Sequence, residues 1–190
     1  MEFIELARTA RSTRRFIETV RPPREDLLFL IEAASLAPCA GNLQRLRYSL
    51  VTGDPQRARI FSGLKWAALL NDWNGPEEGL RPAAYIVVSS PDDGKKPYNG
   101  LDAGIAAAYI TLAAREKGLG ACILLSFSHD DVASLACSEG YSPELVIALG
   151  YPGEEIILEK CSGSRKYYRD SAGRHHVPKL SAAELIGKET

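Results

Sequence analysis

The sequence has no apolar run long enough to cross a membrane: the uncharged, mostly apolar stretch from Ala103 to Ala114 falls well short of the ~18 residues that a spanning helix needs. It also lacks an excess of either charge. With 23 Lys+Arg against 24 Asp+Glu, a formal net charge of -1, no global positive field draws nucleic acid or an anionic membrane, and any anion site has to be local. Cysteine is scarce. Cys39, Cys122, Cys137 and Cys161 are irregularly spaced with no C-x-x-C among them, which argues against a disulfide framework and against a metal site. Glu2, Glu5 and Arg8 stand where a secretory signal would carry a basic cap and a greasy stretch, so a soluble, cytoplasmic chain is expected. Glycine motifs for phosphate are missing too. Gly118-Leu119-Gly120 lacks the third glycine of G-x-G-x-x-G, with Ile123 in its place, and no G-x-x-x-x-G-K-[ST] occurs, so side chains must do any phosphate binding.

What is present fits one globular domain over residues 1–190, with 45% hydrophobic and 25% charged residues and no repeat or linker. Phe3, Ile4, Leu6, Ala7 and Ala10 predict a first helix that breaks into the basic turn Arg11-Ser12-Thr13-Arg14-Arg15-Phe16. A second helix follows Pro22-Pro23 and ends near Pro38, and Tyr48 and Leu50 mark a strand. Asp54-Pro55 reads as an N-cap and first helical proline. Asn71 to Pro82 cannot hold regular structure. Ala83 to Val88, Ala121 to Phe127 and Leu145 to Leu149 read as strands buried on both faces, with a helix after Ser128. Asp102 is expected to cap a helix apolar all round, which has to be buried all round in the domain or in a dimer. Tyr167 to Val177 reads as a hairpin, and Ser181-x-x-Glu184 as a capping box.

Three places carry possible chemistry. Arg11, Ser12 and Arg14 offer two guanidiniums and a hydroxyl to a phosphomonoester, or form a solvated basic turn. The Pro38 to Gln44 turn admits a flat ligand, with Asn42 offering a donor and an acceptor, or is an ordinary connection in which Gly41 supplies a positive φ. Cys39 as a nucleophile would need a base such as His175 or His176; the plainer reading is a small residue. The two histidines are adjacent in a strand, face opposite ways and cannot chelate one ion together.

Taken in order, these segments resemble the FMN-dependent nitroreductase family. The resemblance rests on Arg11 to Phe16, on Ala33-Ala34 through Ala37-Pro38-Cys39-Ala40-Gly41-Asn42-Leu43-Gln44, on Asp102-Ala103-Gly104, on Gly118 to Cys122, on Ala148-Leu149-Gly150-Tyr151-Pro152 and on His176-Val177-Pro178-Lys179. It implies that Arg11, Ser12 and Arg14 hold the phosphate, ribityl chain and pyrimidine edge of FMN, with Lys179 joining at the phosphate. Pro38, Cys39, Ala40 and Asn42 would come from the other subunit of a homodimer and cover the ring. Leu124, Leu125 and Ser126 match the strand end that runs past flavin N5, and Lys65 the pyrimidine side. Strand and helix alternation alone points to a parallel α/β sheet. The resemblance instead implies an α+β fold, a mixed and largely antiparallel sheet flanked by helices in an intertwined homodimer.

The sequence departs from the family pattern at Ala10 and Leu180, where Arg is frequent, at Leu125, where Gly is common, and at Arg45-Leu46, where Pro-Trp often follows. Each missing cation weakens phosphate binding by about 1.5–3 kcal/mol. The implied activity is ping-pong hydride transfer, from NADH or NADPH as transient donor to an electron-poor acceptor such as a nitroaromatic or a quinone, with the chemistry on the flavin and no catalytic side chain. Two rival readings share the fold: an enzyme that consumes its flavin or uses oxygen, and a non-catalytic FMN-binding protein. Trp66 and Trp73 are candidates for a lid, or are core aromatics.

Overall fold

A computed structural model describes residues 2–70, 73–94 and 98–188. In chain order the elements are α1 (Phe3–Thr9), α2 (Arg24–Ser35), a 3-10 turn (Ala40–Asn42), β1 (Arg47–Val51), α3 (Asp54–Gly63), β2 (Ala84–Pro91), α4 (Asn99–Glu116), β3 (Gly120–Leu124), α5 (His129–Ala136), β4 (Tyr141–Gly150), β5 (Ile156–Lys160), β6 (Tyr168–Arg169), β7 (His175–Lys179) and α6 (Ala182–Leu185). β1, β2, β4 and β3 lie in that order in one sheet whose pairs are all antiparallel. β5, β7 and β6 form a second sheet, parallel between β5 and β7 and antiparallel between β6 and β7. The fold is therefore α+β, as the resemblance implied, and the parallel sheet suggested by alternation is corrected. The reason is burial on both faces. Ala84, Ile86 and Val88 of β2 pack with α2 and α4, while Tyr85 and Val87 pack with α3 and α5. A strand covered on both sides reads as one apolar run whichever way its neighbour points.

Several local expectations need correction. Asp102 lies inside α4, which starts at Asn99; its buried carboxylate accepts the Ala40 amide at 2.9 Å and so holds the 3-10 turn. Asp54 is the first helical residue of α3, after the N-cap Gly53, and pairs with Arg21 and Arg57. Ser128 is the N-cap of α5, but its hydroxyl bonds the Asp131 carboxylate at 2.6 Å rather than a backbone amide. Helix α4 is only partly covered within the single chain, where Leu101, Gly104, Ala108 and Tyr109 leave one uncharged face exposed; this leaves open the alternative that a dimer completes its burial. The Ser181 capping box is present as expected. Strand β5 had no signal that set it apart. No regular element occurs at the described positions 73–82; Asn71 and Asp72 lie outside the described residues. No helix among the described residues is long and apolar enough to cross a membrane.

Candidate functional site

The basic turn is placed by the core rather than by its own conformation. The Phe16 ring is fully buried against the sheet, the Thr13 amide donates to the Ala121 carbonyl at 2.9 Å, and the Gly153 amide donates to the Arg15 carbonyl at 2.8 Å. Glu154 completes the anchor. One of its carboxylate oxygens accepts the Arg14 and Arg15 amides at 2.5 and 3.1 Å, and the other pairs with the Arg169 guanidinium at 2.9 Å. A residue from the loop between β4 and β5 thereby fixes the backbone of the N-terminal turn and ties it to Arg169 of the C-terminal sheet.

Beside this turn a cavity of about 380 Å³ opens, walled by Arg11, Ser12 and Arg14, by Thr111 of α4, by Ala121 and Ile123 of β3, and by Tyr167, His175, Val177 and Lys179. The structure thus brings Lys179 together with Arg11, Ser12 and Arg14, from which the sequence separates it by more than 160 residues. Tyr167, His175 and Val177 were missed. The signal was available for two of them, because positions 175, 177 and 179 share one face of a strand by its two-residue period. Ile123 and Leu125 continue the face of Ala121 and are exposed, Leu125 by 71%. Leu124 is turned into the core instead, and Ser126 is held from Lys65, whose amide donates to the Ser126 carbonyl at 3.0 Å.

Arg14 is held on two sides. Its Nη1 lies 3.0 Å from His175 Nε2, and its guanidinium sits 4.7 Å from the centre of the Tyr167 ring. An arginine only donates, so His175 Nε2 accepts, and its proton resides on Nδ1. His175 is fully buried, and burial first, then the charge of Arg14, press its pKa down to about 4. His176 faces the other way, toward Glu159 and Asp170 at 3.1 and 3.3 Å and stacked on Tyr168, and the hydrogen bond with Glu159 raises its pKa.

The Pro38 to Gln44 turn is elsewhere in the chain. Gly41, Asn42 and Gln44 have φ of 56°, 53° and 48°, so glycine is one of three left-handed residues there. Pro38 and Cys39 line a second cavity of about 230 Å³ with Tyr48, Asp102 and Ala106. Burial raises the Tyr48 pKa, with Cys39 and Asp102 adding to it. Neither His175 nor His176 lines this cavity, so neither is placed as a base for Cys39. On α4 the nearest lining residues of the two cavities are Ala106 and Thr111, about five residues or roughly 7.5 Å apart along the helix axis.

The remaining candidates are structural. Trp66 is buried and packs with Phe61 and Trp73 at ring distances of 6.1 and 6.3 Å, and Arg169 covers Trp73 at 4.2 Å. Both tryptophans are core aromatics. Cys122 is buried, which pushes its thiol up to about 11, and all four cysteines are free. Among the described residues no group of three or more His, Cys, Asp or Glu is placed to hold a metal ion.

The cavity offers the groups that an anionic, partly apolar ligand would need. Arg11, Arg14, Lys179 and the Ser12 hydroxyl share its wall with the apolar Ile123, and Leu125, two residues further along the chain, is exposed. The model of the Nitroreductase family matches residues 7–151. An iodotyrosine deiodinase of Thermotoga neapolitana is 24% identical over 168 residues, covering 79% of this chain and 88% of that protein. An Archaeoglobus fulgidus protein bearing the description NADH dehydrogenase/NAD(P)H nitroreductase is 27% identical over 161 residues, covering 81% and 87%. The structure of an FMN-dependent nitroreductase from Clostridium difficile superimposes with a TM-score of 0.66 at 25% identity, covering 85% of this chain and 92% of that one.

Proposed function

Because the chain belongs to the Nitroreductase family, we propose that this oxidoreductase is an FMN-dependent NAD(P)H enzyme that reduces an electron-poor acceptor, nitroaromatic or quinone-like. The observation that carries the proposal is the convergence of Arg11, Ser12, Arg14 and Lys179 on one cavity beside the exposed ledge of Ile123 and Leu125. FMN bound there supplies hydride transfer between a reduced nicotinamide and the acceptor in two half-reactions. Arg11 and Lys179 hold the phosphate, Ser12 the ribityl chain, and Arg14 the pyrimidine edge, where its fixed charge favours negative charge developing on the ring. Lys65 would reach the same edge, and the backbone of Leu124, Leu125 and Ser126 would run past the reacting N5 position. No acid-base pair is required of the protein.

The domain over residues 1–190 works as a homodimer. The uncharged face of Leu101, Gly104, Ala108 and Tyr109 supports this, since a Cβ built on Gly104 meets nothing within 4 Å and two helices could approach closely there. Two copies of α4 crossing antiparallel would carry Pro38, Cys39, Ala40 and Asn42 of one subunit toward the Thr111 end of the other. This is how a turn remote from its own cavity covers the ring.

The test is a visible spectrum of the purified protein with FMN supplied, followed by anaerobic NADH or NADPH. Bleaching by either donor and recovery on adding a quinone are expected. A protein that takes up no FMN, or whose FMN neither donor bleaches, overturns the reading.

A further inference from the structure

We propose that His175 is a positioning residue, a neutral acceptor that aims the Arg14 guanidinium into the cofactor cavity without neutralising its charge. The inference rests on the reading of that cavity as an FMN site. An arginine side chain has four rotatable bonds, so placing its charge requires partners. Carboxylates commonly fill that role, but a carboxylate against Arg14 would cancel the field that an anionic ligand needs. His175 avoids this. Its Nε2 accepts from Arg14 Nη1 at 3.0 Å, while the Tyr167 ring covers one guanidinium face at 4.7 Å and packs against the His175 ring at 5.3 Å. Glu154, the nearest carboxylate in the arrangement, binds the Arg14 amide and the Arg169 side chain instead.

The arrangement leaves a buried polar atom unpaired, which packing alone does not require. His175 has no exposed surface, its backbone amide is tied to the Glu155 carbonyl at 2.9 Å, and its Nδ1 is buried with no hydrogen-bond partner in the protein. A phenylalanine would fill the same space and leave no buried polar atom. What phenylalanine lacks is the acceptor. Protonation would destroy that acceptor and set two cations together, and the same surroundings that bury His175 keep it neutral.

The experiment measures FMN dissociation constants by flavin fluorescence for wild type, H175F, H175Q, H175E and R14Q, with H175F also placed in the R14Q background. H175F is expected to bind FMN about tenfold more weakly, and H175Q, whose amide oxygen can accept, within about threefold of wild type. H175E keeps an acceptor but cancels the charge, so it is expected to bind at least as weakly as H175F. In the R14Q background H175F is expected to change affinity by less than about twofold, because the route through Arg14 is already gone. Additive losses in the double variant, or H175E binding as well as H175Q, overturn the proposal. Should H175F fail to fold, the H175E and H175Q comparison decides. If wild type itself binds no FMN, the reading of the site falls along with this inference; if wild type binds FMN and the variants do not follow the pattern, only this inference falls.

Discussion

The Glu154 carboxylate accepts the Arg14 amide at 2.5 Å, across 140 residues of sequence, and the same side chain, only 2% exposed, neutralises Arg169. Removing one partner of a buried pair leaves the other charge stranded, which typically costs about 3–5 kcal/mol. E154A is therefore expected to lose stability of that order in urea denaturation and to loosen FMN. The double variant E154A/R169M is expected to regain part of the stability, because no cation is then stranded.

Two cations missing from the family pattern bear on affinity. Ala10 lines the cavity next to Arg11, so A10R adds a donor where the ligand phosphate is proposed to lie. A charged hydrogen bond of about 1.5–3 kcal/mol corresponds to tenfold or more in affinity. Titration of FMN is expected to give a tighter constant for A10R and weaker ones for R11Q and K179Q, each by about tenfold.

Gly120 leaves the basic turn room to lie down. A Cβ at this position would come within 2.5 Å of Thr13 Oγ1 and 2.7 Å of Thr13 Cβ, atoms of the segment that carries Arg11 and Arg14. Overpacking of this kind costs about 1–3 kcal/mol. G120A is expected to lower the melting temperature and weaken FMN together, whereas G140A, with nothing near its added carbon but a φ of +73°, is expected to affect stability alone.

The open face of α4 gives a test of assembly. A108E puts a charge among exposed uncharged residues, so it is expected to leave the monomer folded while sedimentation velocity shows loss of the dimer. FMN affinity is expected to fall with it, since each site would lose the turn supplied by its partner.

His175 predicts a pH dependence. Its folded pKa of about 4 lies below the ordinary histidine value of 6.5, so between these limits the unfolded chain binds more protons than the folded one. Stability from the neutral imidazole is complete above pH 6.5 and declines as pH falls toward 4. Arg14 and Tyr167 touch the ring, and the charges of Glu154, Arg169 and His176 act on it from further off. Chemical denaturation of wild type and H175Q between pH 4 and 7.5 is expected to show wild type losing stability relative to the variant below about pH 6.5. His176 works in the opposite sense: its raised pKa adds stability below the ordinary value that is lost as pH rises through the folded one.

Much of the site was legible because its parts are chemically loud. Two arginines and a serine in four residues, a proline- and glycine-bearing turn, and a lysine at the end of a strand each stand out. His175 and Tyr167 did not, because nothing local distinguishes a histidine that accepts from a half-buried arginine from one that merely fills a strand. Asp102 was misread as a cap for a similar reason: the residue suits a helix start, and its true partner, the Ala40 amide, is 62 residues away.

The sequence by itself determined the helices, the buried strands and the residue types available to bind an anion, since these follow from periodicity and local chemistry within a few residues. Only the tertiary structure decided strand direction, which end of α4 meets which cavity, and that the C-terminal sheet lies against the N-terminal turn. Those depend on contacts between distant segments, and a strand buried on both faces carries no local mark of its neighbours' direction.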